Sequence, residues 1–377
     1  MLKNFWYPIQ FSDKVSTKPQ RQRILGQDLV VYRDESGAAQ VMSDLCIHRG
    51  GALSGGWVKG DCIVCPYHGW EYEKNGQCKK IPANLEGREI PKRARVDAYP
   101  TQEKYDFVWA FLGDLSEEER PPMPELPHWD KIDDFKKLKG EYEWKVNYER
   151  AVENSMDISH AAFVHGGSFG NPDKPQVPDF EIAYGDWSAE TTVFIEPTPP
   201  KGLWGKFRKQ EVKPVKTRAG YFMPCVTLLE VHLPIGLMVL FNFHTPIDEF
   251  TTVTRWINLR TFFKANWADK NAFERVLKVF DQDKVVLEEV RPEILPLDIA
   301  AELHVKSDNL QIAYRKLRNK LLAKGWGIDM HKIRSELTGR TFTVIPSPSR
   351  REVPELANAW VMKEVPTTQE ADSYSVN

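Results

Sequence analysis

Cys46-Ile-His48-Arg49-Gly50-Gly51 and Cys65-Pro66-Tyr67-His68-Gly69-Trp70 decide how the chain is read. Each stretch offers one thiol and one imidazole, as Cys-x-His first and Cys-x-x-His second, and sixteen residues separate His48 from Cys65. Two thiolates and two imidazoles suit a two-iron, two-sulfide cluster in which the cysteines hold one iron and the histidines the other. Replacing two anionic thiolates by neutral imidazoles makes the centre less negative and places its potential in a moderate range, roughly −150 to +300 mV. The competing reading is a structural zinc site built from the same four residues. Zinc sites favour Cys-x-x-Cys pairs, and Cys-x-His makes a tight chelate for a single ion. The flanking glycines and Pro66 also allow backbone N–H groups close to bridging sulfides. The iron–sulfur reading is preferred.

Length and charge set the frame around this motif. A chain of 377 residues is long enough for two domains with separate cores. Lys+Arg 51 against Asp+Glu 53 leaves a net charge of −2, which argues against nucleic acid as a general partner. Of 5 cysteines, two are assigned to the cluster. Cys62, Cys78 and Cys225 are expected as reduced, partly buried thiols. MLKNFWYPIQFS lacks the pattern of a secretion signal. The most apolar later segment, Leu228 to Phe243, is broken by Glu230, His232 and Pro234, too often to span a bilayer. The expectation is a soluble, cytoplasmic protein without a transmembrane segment.

Turn chemistry divides the chain. Hairpin signals at Asp34–Gly37 and Lys74–Gly76, and a strand over Tyr105–Leu112, imply a small all-β domain over residues 1–118. Residues 119–139 are rich in Pro and charge and read as a linker, in which His128 has no partner at ligand spacing. A second domain over 140–350 starts with a helix at 144–166 that stops at Gly166-Gly167. Strands follow at 189–195, 226–233, 238–243 and 252–260, with a Pro-, Gly- and Lys-rich mobile loop at 197–220. Helices are expected at 266–291 and 308–324, the latter stopped by Gly325. An antiparallel sheet with segregated helices makes the class α+β. Residues 351–377 are a C-terminal extension.

A second metal site emerges in that domain. Asn154-Ser-Met-Asp157-Ile-Ser-His160-Ala-Ala-Phe-Val-His165 places two histidines five apart near a helix end. An ideal helix would set them about 140° apart, so convergence on one ion requires the helix to loosen. Asp157, three residues before His160, is positioned to accept a hydrogen bond from that imidazole's second nitrogen. Taken alone, such histidines are satisfied core residues. Asp283 changes the balance. In FERVLKVFDQDKVVLEEV (273–290), Phe273, Val276, Leu277, Phe280, Leu287 and Val290 form one apolar stripe, with Asp283 inside it and Asp281 opposite. A carboxylate at a core position needs an ion pair or a metal. With His160 and His165 it completes a two-His-one-carboxylate site, which leaves coordination positions open.

CIHRG…CPYHGW together with Asn154, Asp157, His160, His165 and Asp283 resembles the Rieske non-haem iron oxygenases over nearly the whole chain. The resemblance implies an N-terminal Rieske [2Fe–2S] domain, with Cys46, His48, Cys65 and His68 binding the cluster. It also implies a C-terminal catalytic domain, with mononuclear Fe(II) on His160, His165 and Asp283. Asp157 would bridge His160 to His68 of a neighbouring subunit, in a head-to-tail homotrimer. NSMDISHAAFVH and AYRKLRNKLLAKGWGID are more similar to the monooxygenase and demethylase branch than to ring-dihydroxylating members. The activity so implied is that of an NAD(P)H- and O₂-dependent terminal oxygenase that hydroxylates or demethylates a small organic, ring-containing substrate. A separate ferredoxin or flavin reductase would supply the electrons. The alternatives are a ring-cis-dihydroxylating dioxygenase and, more remotely, a Rieske-type electron carrier without oxygenase activity.

Weaker signals stay open. Lys79, Lys80, Lys92, Arg93 and Arg95 follow the second cluster loop and read either as a docking patch for an acidic electron donor or as a solvated face. Phe222, Met223, Phe241, Phe243 and Trp256 line a substrate pocket on one reading and a plain core on the other. His232 and His244 are lone strand histidines with no assigned role.

Overall fold

The computed structural model describes residues 1–166, 168–196 and 214–368. The chain divides into two compact units, Met1–Met123 with Leu321–Asn377, and Pro124–Lys320.

Short strands build the first unit: β1 (Phe5–Phe11), β2 (Gln20–Ile24), β3 (Gln27–Arg33), β4 (Ala39–Ser43), β5 (Trp57–Lys59), β6 (Cys62–Val64), β7 (Glu71–Tyr72), β8 (Cys78–Lys80), β9 (Ala98–Tyr99), β10 (Thr101–Lys104) and β11 (Phe107–Leu112). They form three antiparallel sheets, ordered β1-β11-β10, β2-β3-β4-β9 and β5-β6-β7-β8. Hairpins close at both expected turns, β3–β4 across Asp34–Gly37 and β7–β8 across Lys74–Gly76. In the small third sheet the second cluster motif forms the connection from β6 to β7. Cys46, Leu53, Ile63, Cys65, Tyr72 and Cys78 share one buried core there.

The domain boundaries differ from those expected. Residues 321–350, anticipated in the catalytic domain, and residues 351–368 of the extension both group with the first unit. One tie is the Leu2–Gly327 bridge, and another is a buried carboxylate. Asp97 accepts hydrogen bonds from the Ser347 backbone N–H and hydroxyl and from Arg350 Nε, each at 2.9 Å, and from a second Arg350 nitrogen at 2.8 Å. Nearby, the Tyr99 hydroxyl donates to the Ile345 carbonyl at 2.7 Å. A buried charge needs such partners. Here the far end of the chain supplies them.

In the second unit β12 (Lys136–Trp144) is followed by α1 (Tyr148–Met156), α2 (Ala161–Val164), β13 (Ile182–Tyr184), β14 (Ser188–Ile195), β15 (Val215–Phe222), β16 (Val226–Leu233), β17 (Gly236–Pro246), β18 (Thr252–Arg260), α3 (Asp269–Leu287) and α4 (Asn309–Ala323). The sheet is antiparallel, ordered β12-β18-β17-β16-β15-β14-β13. Successive side chains alternate between its faces. Trp144, Leu240 and Trp256 lie on the face that packs against Phe280 and Leu287 of α3 and Ala151 of α1. Every member of the expected α3 stripe joins this core, Phe273, Val276, Leu277 and Val290 at its margin. Phe241 and Phe243 are fully buried but alternate with Asn242, the register partner of Trp256, so they occupy the opposite face. They cannot share one pocket with Trp256.

The single helix expected over 144–166 does not form. Trp144 ends β12, pairs with Thr252, and donates its indole N–H to the Thr254 hydroxyl at 2.8 Å. Asn147 then caps α1 by accepting from the Glu149 N–H at 3.0 Å. The helix stops at Met156, ahead of both candidate histidines. Two guanidinium–carboxylate pairs hold α1 to α4, Arg318–Glu149 and Arg315–Glu153, each with a 2.7 Å contact. The loop expected over 197–220 yields its end to β15, and residues 197–213 lie outside the described residues, as does Gly167. His128, expected without a partner, lies 2.9 Å from Glu230, whose other oxygen is 2.8 Å from His232. Glu230 is buried, and the pairing satisfies it.

Candidate metal centres

The two cluster motifs fold into the same turn. The Gly50 N–H donates to the Cys46 carbonyl at 2.8 Å, and the Gly69 N–H donates to the Cys65 carbonyl at 2.9 Å. Both glycines sit in the left-handed region, at φ 68° and 69°, where a side chain is strained. Each turn thus brings a Cys and a His to one side. Cys46 and Cys65 are buried, whereas His48 is half-buried and His68 exposed. The imidazoles approach each other at a ring-centroid distance of 4.4 Å, and Trp70 stacks on His48 at 4.6 Å. A Cβ on Gly51 would come within 3.2 Å of the Cys65 sulfur, so a side chain there would crowd the space between the turns.

The residues fit the group the motif calls for. His48 Nδ1 is buried with no hydrogen-bond partner. Such an atom is costly unless it is a ligand. The thiols sit inward and the imidazoles outward, which is the polarity of a mixed-ligand centre with its less negative iron toward solvent. The Tyr72 hydroxyl lies 3.0 Å from the Cys46 sulfur. Burial, with Cys46 beside it, pushes the Tyr72 phenol far above its ordinary range, so it stays protonated.

In the second unit, the chain leaves α1, turns through Asp157–Ser159, and presents His160 and His165 at the two ends of α2. The loosening therefore falls before His160, where the Asp157 carboxylate accepts from the Ser159 N–H at 2.9 Å and its hydroxyl at 2.8 Å. This Asx turn ends the helix. The geometry then brings the three candidate ligands together. His160 Nε2 is 3.2 Å from His165 Nε2, and Asp283 Oδ1 is 3.4 Å from the first and 3.2 Å from the second. A point about 1.9 Å from all three atoms follows, and a short step out of their plane reaches the roughly 2.0–2.2 Å typical of such donors. Among the described residues, these are the three that could hold one ion together.

Electrostatics sharpen the trio. Burial pulls the His160 imidazole down, but the Asp157 and Asp283 carboxylates outweigh it and raise it to about 9. Burial pushes Asp283 up, yet His160 and His165 hold it below the usual carboxylate range. A divalent cation would replace the proton that His160 holds in this arrangement. Asp157 lies 3.3 Å from His160 Nδ1, at ion-pair distance but without hydrogen-bond alignment.

Gln282 belongs to the site and carried no expectation. Its Oε1 lies 3.1 Å from His165 Nδ1 and accepts from the Ser168 hydroxyl at 3.3 Å. With Nδ1 donating there, Nε2 presents its lone pair toward Asp283 and His160. The sequence signal was adjacency to Asp283, one residue on in α3. The basic residues after the second cluster loop are partly matched by acids: Lys79 to Glu73 at 3.4 Å, Lys80 to Glu71 at 4.0 Å, and Lys92 to Glu355 at 3.9 Å. That favours a solvated face. No helix among the described residues is long and apolar enough to cross a membrane.

Comparison with known proteins agrees with both halves. Residues 5–100 match the Rieske [2Fe–2S] domain, and residues 144–324 match the vanillate O-demethylase oxygenase C-terminal domain. Methylxanthine N1-demethylase NdmA of Pseudomonas putida is 30% identical over 340 residues, covering 85% of this chain and 89% of its own. Methylxanthine N3-demethylase NdmB of the same species is 28% identical over 337 residues, with the same coverage. The structure of Pseudomonas putida CBB5 NdmA with caffeine aligns at a TM-score of 0.71 and 28% identity, over 85% of this chain and 91% of that one. The chain belongs to the Rieske non-haem iron oxygenases, as a terminal oxygenase component related to the demethylases, which oxidises organic substrates with iron and relayed electrons.

Proposed function

We propose that this oxygenase inserts one oxygen atom at a C–H bond of a small ring-containing substrate, with N- or O-demethylation as the leading outcome. Cys46, His48, Cys65 and His68 hold the [2Fe–2S] cluster, and His160, His165 and Asp283 hold the mononuclear iron. When bound, these groups supply one-electron storage and activation of O₂. The chain's own residues do the rest. Gln282 holds the His165 ring in the tautomer that leaves Nε2 free, at 3.1 Å from Nδ1. Asp157 positions His160 and serves as the contact for His68 of a neighbouring subunit in a head-to-tail homotrimer. The reductant is NAD(P)H through a separate reductase or ferredoxin, and the setting is the cytoplasm.

The observation that carries this reading is the convergence of three ligand atoms, 3.2–3.4 Å apart, from two helices separated by more than a hundred residues. Turnover under ¹⁸O₂ tests it. One labelled oxygen in the product, or in a released aldehyde, is the expected result. Two labelled oxygens in a cis-diol would replace it with ring dihydroxylation. A protein that holds only about two irons per chain and consumes no O₂ would leave the electron-carrier reading.

A further inference from the structure

The two cluster turns share more than their hydrogen bonds, for a ring packs on the left-handed glycine of each. A Cβ on Gly69 would come within 3.1 Å of Pro82 Cγ, and Pro82 lies just beyond the second motif. A Cβ on Gly50 would come within 2.9, 3.2 and 3.5 Å of three atoms at the tip of the Phe342 ring. The first turn therefore takes its buttress from the C-terminal segment of the same unit. Phe342 is 52% exposed, so it adds little to a core. Exposure alone would mean little. What marks this ring is its seat on a backbone position that a side chain could not share.

The residues that follow Phe342 are fixed. Thr343 and Val344 form β19, which pairs in parallel with β20 (Lys363–Glu364), and the Val365 N–H donates to the Val344 carbonyl at 2.9 Å. Val344 and Ile345 are buried, and the contacts of Tyr99 with Ile345 and of Asp97 with Ser347 and Arg350 come next. The ring is thus held on Gly50 by its neighbours in sequence rather than by its own burial. Glycine is the freest of backbones, and Gly50 lies between His48 and the Gly51 that faces the Cys65 sulfur. Trp70 covers the His48 ring, and Phe342 covers the backbone that carries it. We propose that Phe342 is a positioning residue for the Cys46–Gly51 turn: it keeps water off that turn and so holds the cluster's midpoint below that of an open one. The proposal rests on the reading that Cys46, His48, Cys65 and His68 hold the [2Fe–2S] group.

Charge fixes the sign of the effect. With both irons ferric, two sulfides and two thiolates cancel the metal charge, and neutral imidazoles add none. One-electron reduction turns such a centre into an anion. Water stabilises an anion more than a neutral group of the same size, and an apolar cover removes part of that advantage. Replacing the ring of Phe342 by a small polar side chain therefore favours the reduced state. A ring that only filled space beside the turn would leave the balance of the two states where it was.

The test is redox equilibrium of the iron-loaded, full-length protein with a one-electron dye of fixed potential, read from the visible spectrum of the cluster. At one dye poise, Phe342→Ser is expected to raise the reduced-to-oxidised ratio at least threefold, with cluster iron unchanged at about two per chain. Phe342→Met keeps an apolar side chain of similar reach and is expected to stay within twofold of the parent. A ratio in Phe342→Ser that rises less than threefold, stays level or falls would overturn the proposal. So would a Phe342→Met variant displaced by more than twofold. Phe342→Gln matches methionine in length but is polar, and it carries the same expectation as Phe342→Ser should that variant fail to fold. Failure of the ligand reading looks different: the parent itself would then lack the visible and reduced-state EPR spectra of the cluster.

Discussion

The Tyr72 hydroxyl stands 3.0 Å from the sulfur of Cys46, and both groups are buried. Ligation requires the Cys46 thiolate, so the phenol is the donor and the sulfur the acceptor. Reduction adds negative charge to a cluster, and a hydrogen bond to its sulfur strengthens as it does so. Tyr72→Phe keeps the ring and removes the donor. If the bond is worth about 1 kcal/mol more in the reduced state, the midpoint falls by roughly 40 mV for a one-electron couple. Spectroelectrochemical titration of the purified protein reads this directly, and an unchanged midpoint would show that the hydroxyl does not address the cluster.

Iron retention separates the ligands of the second site from their support. Asp283→Ala removes one of three converging atoms, and the expected iron content falls from about three to about two per chain, with the cluster spectrum unaltered. Gln282→Leu should act more gently. His165 would lose the partner 3.1 Å from its Nδ1, and the loss of such an outer partner costs roughly 10–100-fold in metal affinity. Chelator competition measures it. Equal iron retention by Gln282→Leu and the parent would remove Gln282 from the site.

The features legible from sequence were those written locally. Both cluster turns follow from Cys and Gly four residues apart, and the α3 stripe follows from helical periodicity, Asp283 included. Partners across long separations were not legible. Asp97 meets Arg350 from 253 residues away, and nothing near either residue announces it. His128 finds Glu230 across 102 residues. The break at Asp157 was foreseen only as a loosening somewhere near the histidines, because the competing Asx turn depends on which way one carboxylate points. Phe342 was hidden as Arg350 was, because its ring meets Gly50 only once the C-terminal segment is placed.

Acid should weaken the second unit through His244. Its imidazole is lowered to about 3 by burial, whereas an unfolded chain titrates near 6.5. Between those values the unfolded state binds a proton that the folded state refuses, so stability falls as pH falls. The stabilising difference is fully present above pH 6.5 and is lost at about 1.4 kcal/mol per pH unit below it. Urea unfolding between pH 7 and pH 4.5 measures the slope, and His244→Asn should flatten it by the equivalent of one proton. An identical slope in the variant would mean that His244 is already protonated in the folded protein.

The link from Asp97 to Arg350 makes its own prediction about residues 321–368. Arg350 donates to both Asp97 oxygens, at 2.9 and 2.8 Å, and also to the Met362 carbonyl at 3.0 Å. Trp360 lies under the same guanidinium, 4.5 Å from its ring centroid. Arg350→Met therefore leaves Asp97 buried with only the Ser347 donors, and breaking such a pair from one side costs about 3–5 kcal/mol. Adding Asp97→Asn should recover a good part of that loss, because an uncharged amide no longer needs the guanidinium. Urea midpoints of the parent, the two single variants and the double variant complete the cycle. A double variant no more stable than Arg350→Met alone would show that Asp97's charge is not what binds the C-terminal segment to the rest of the first unit.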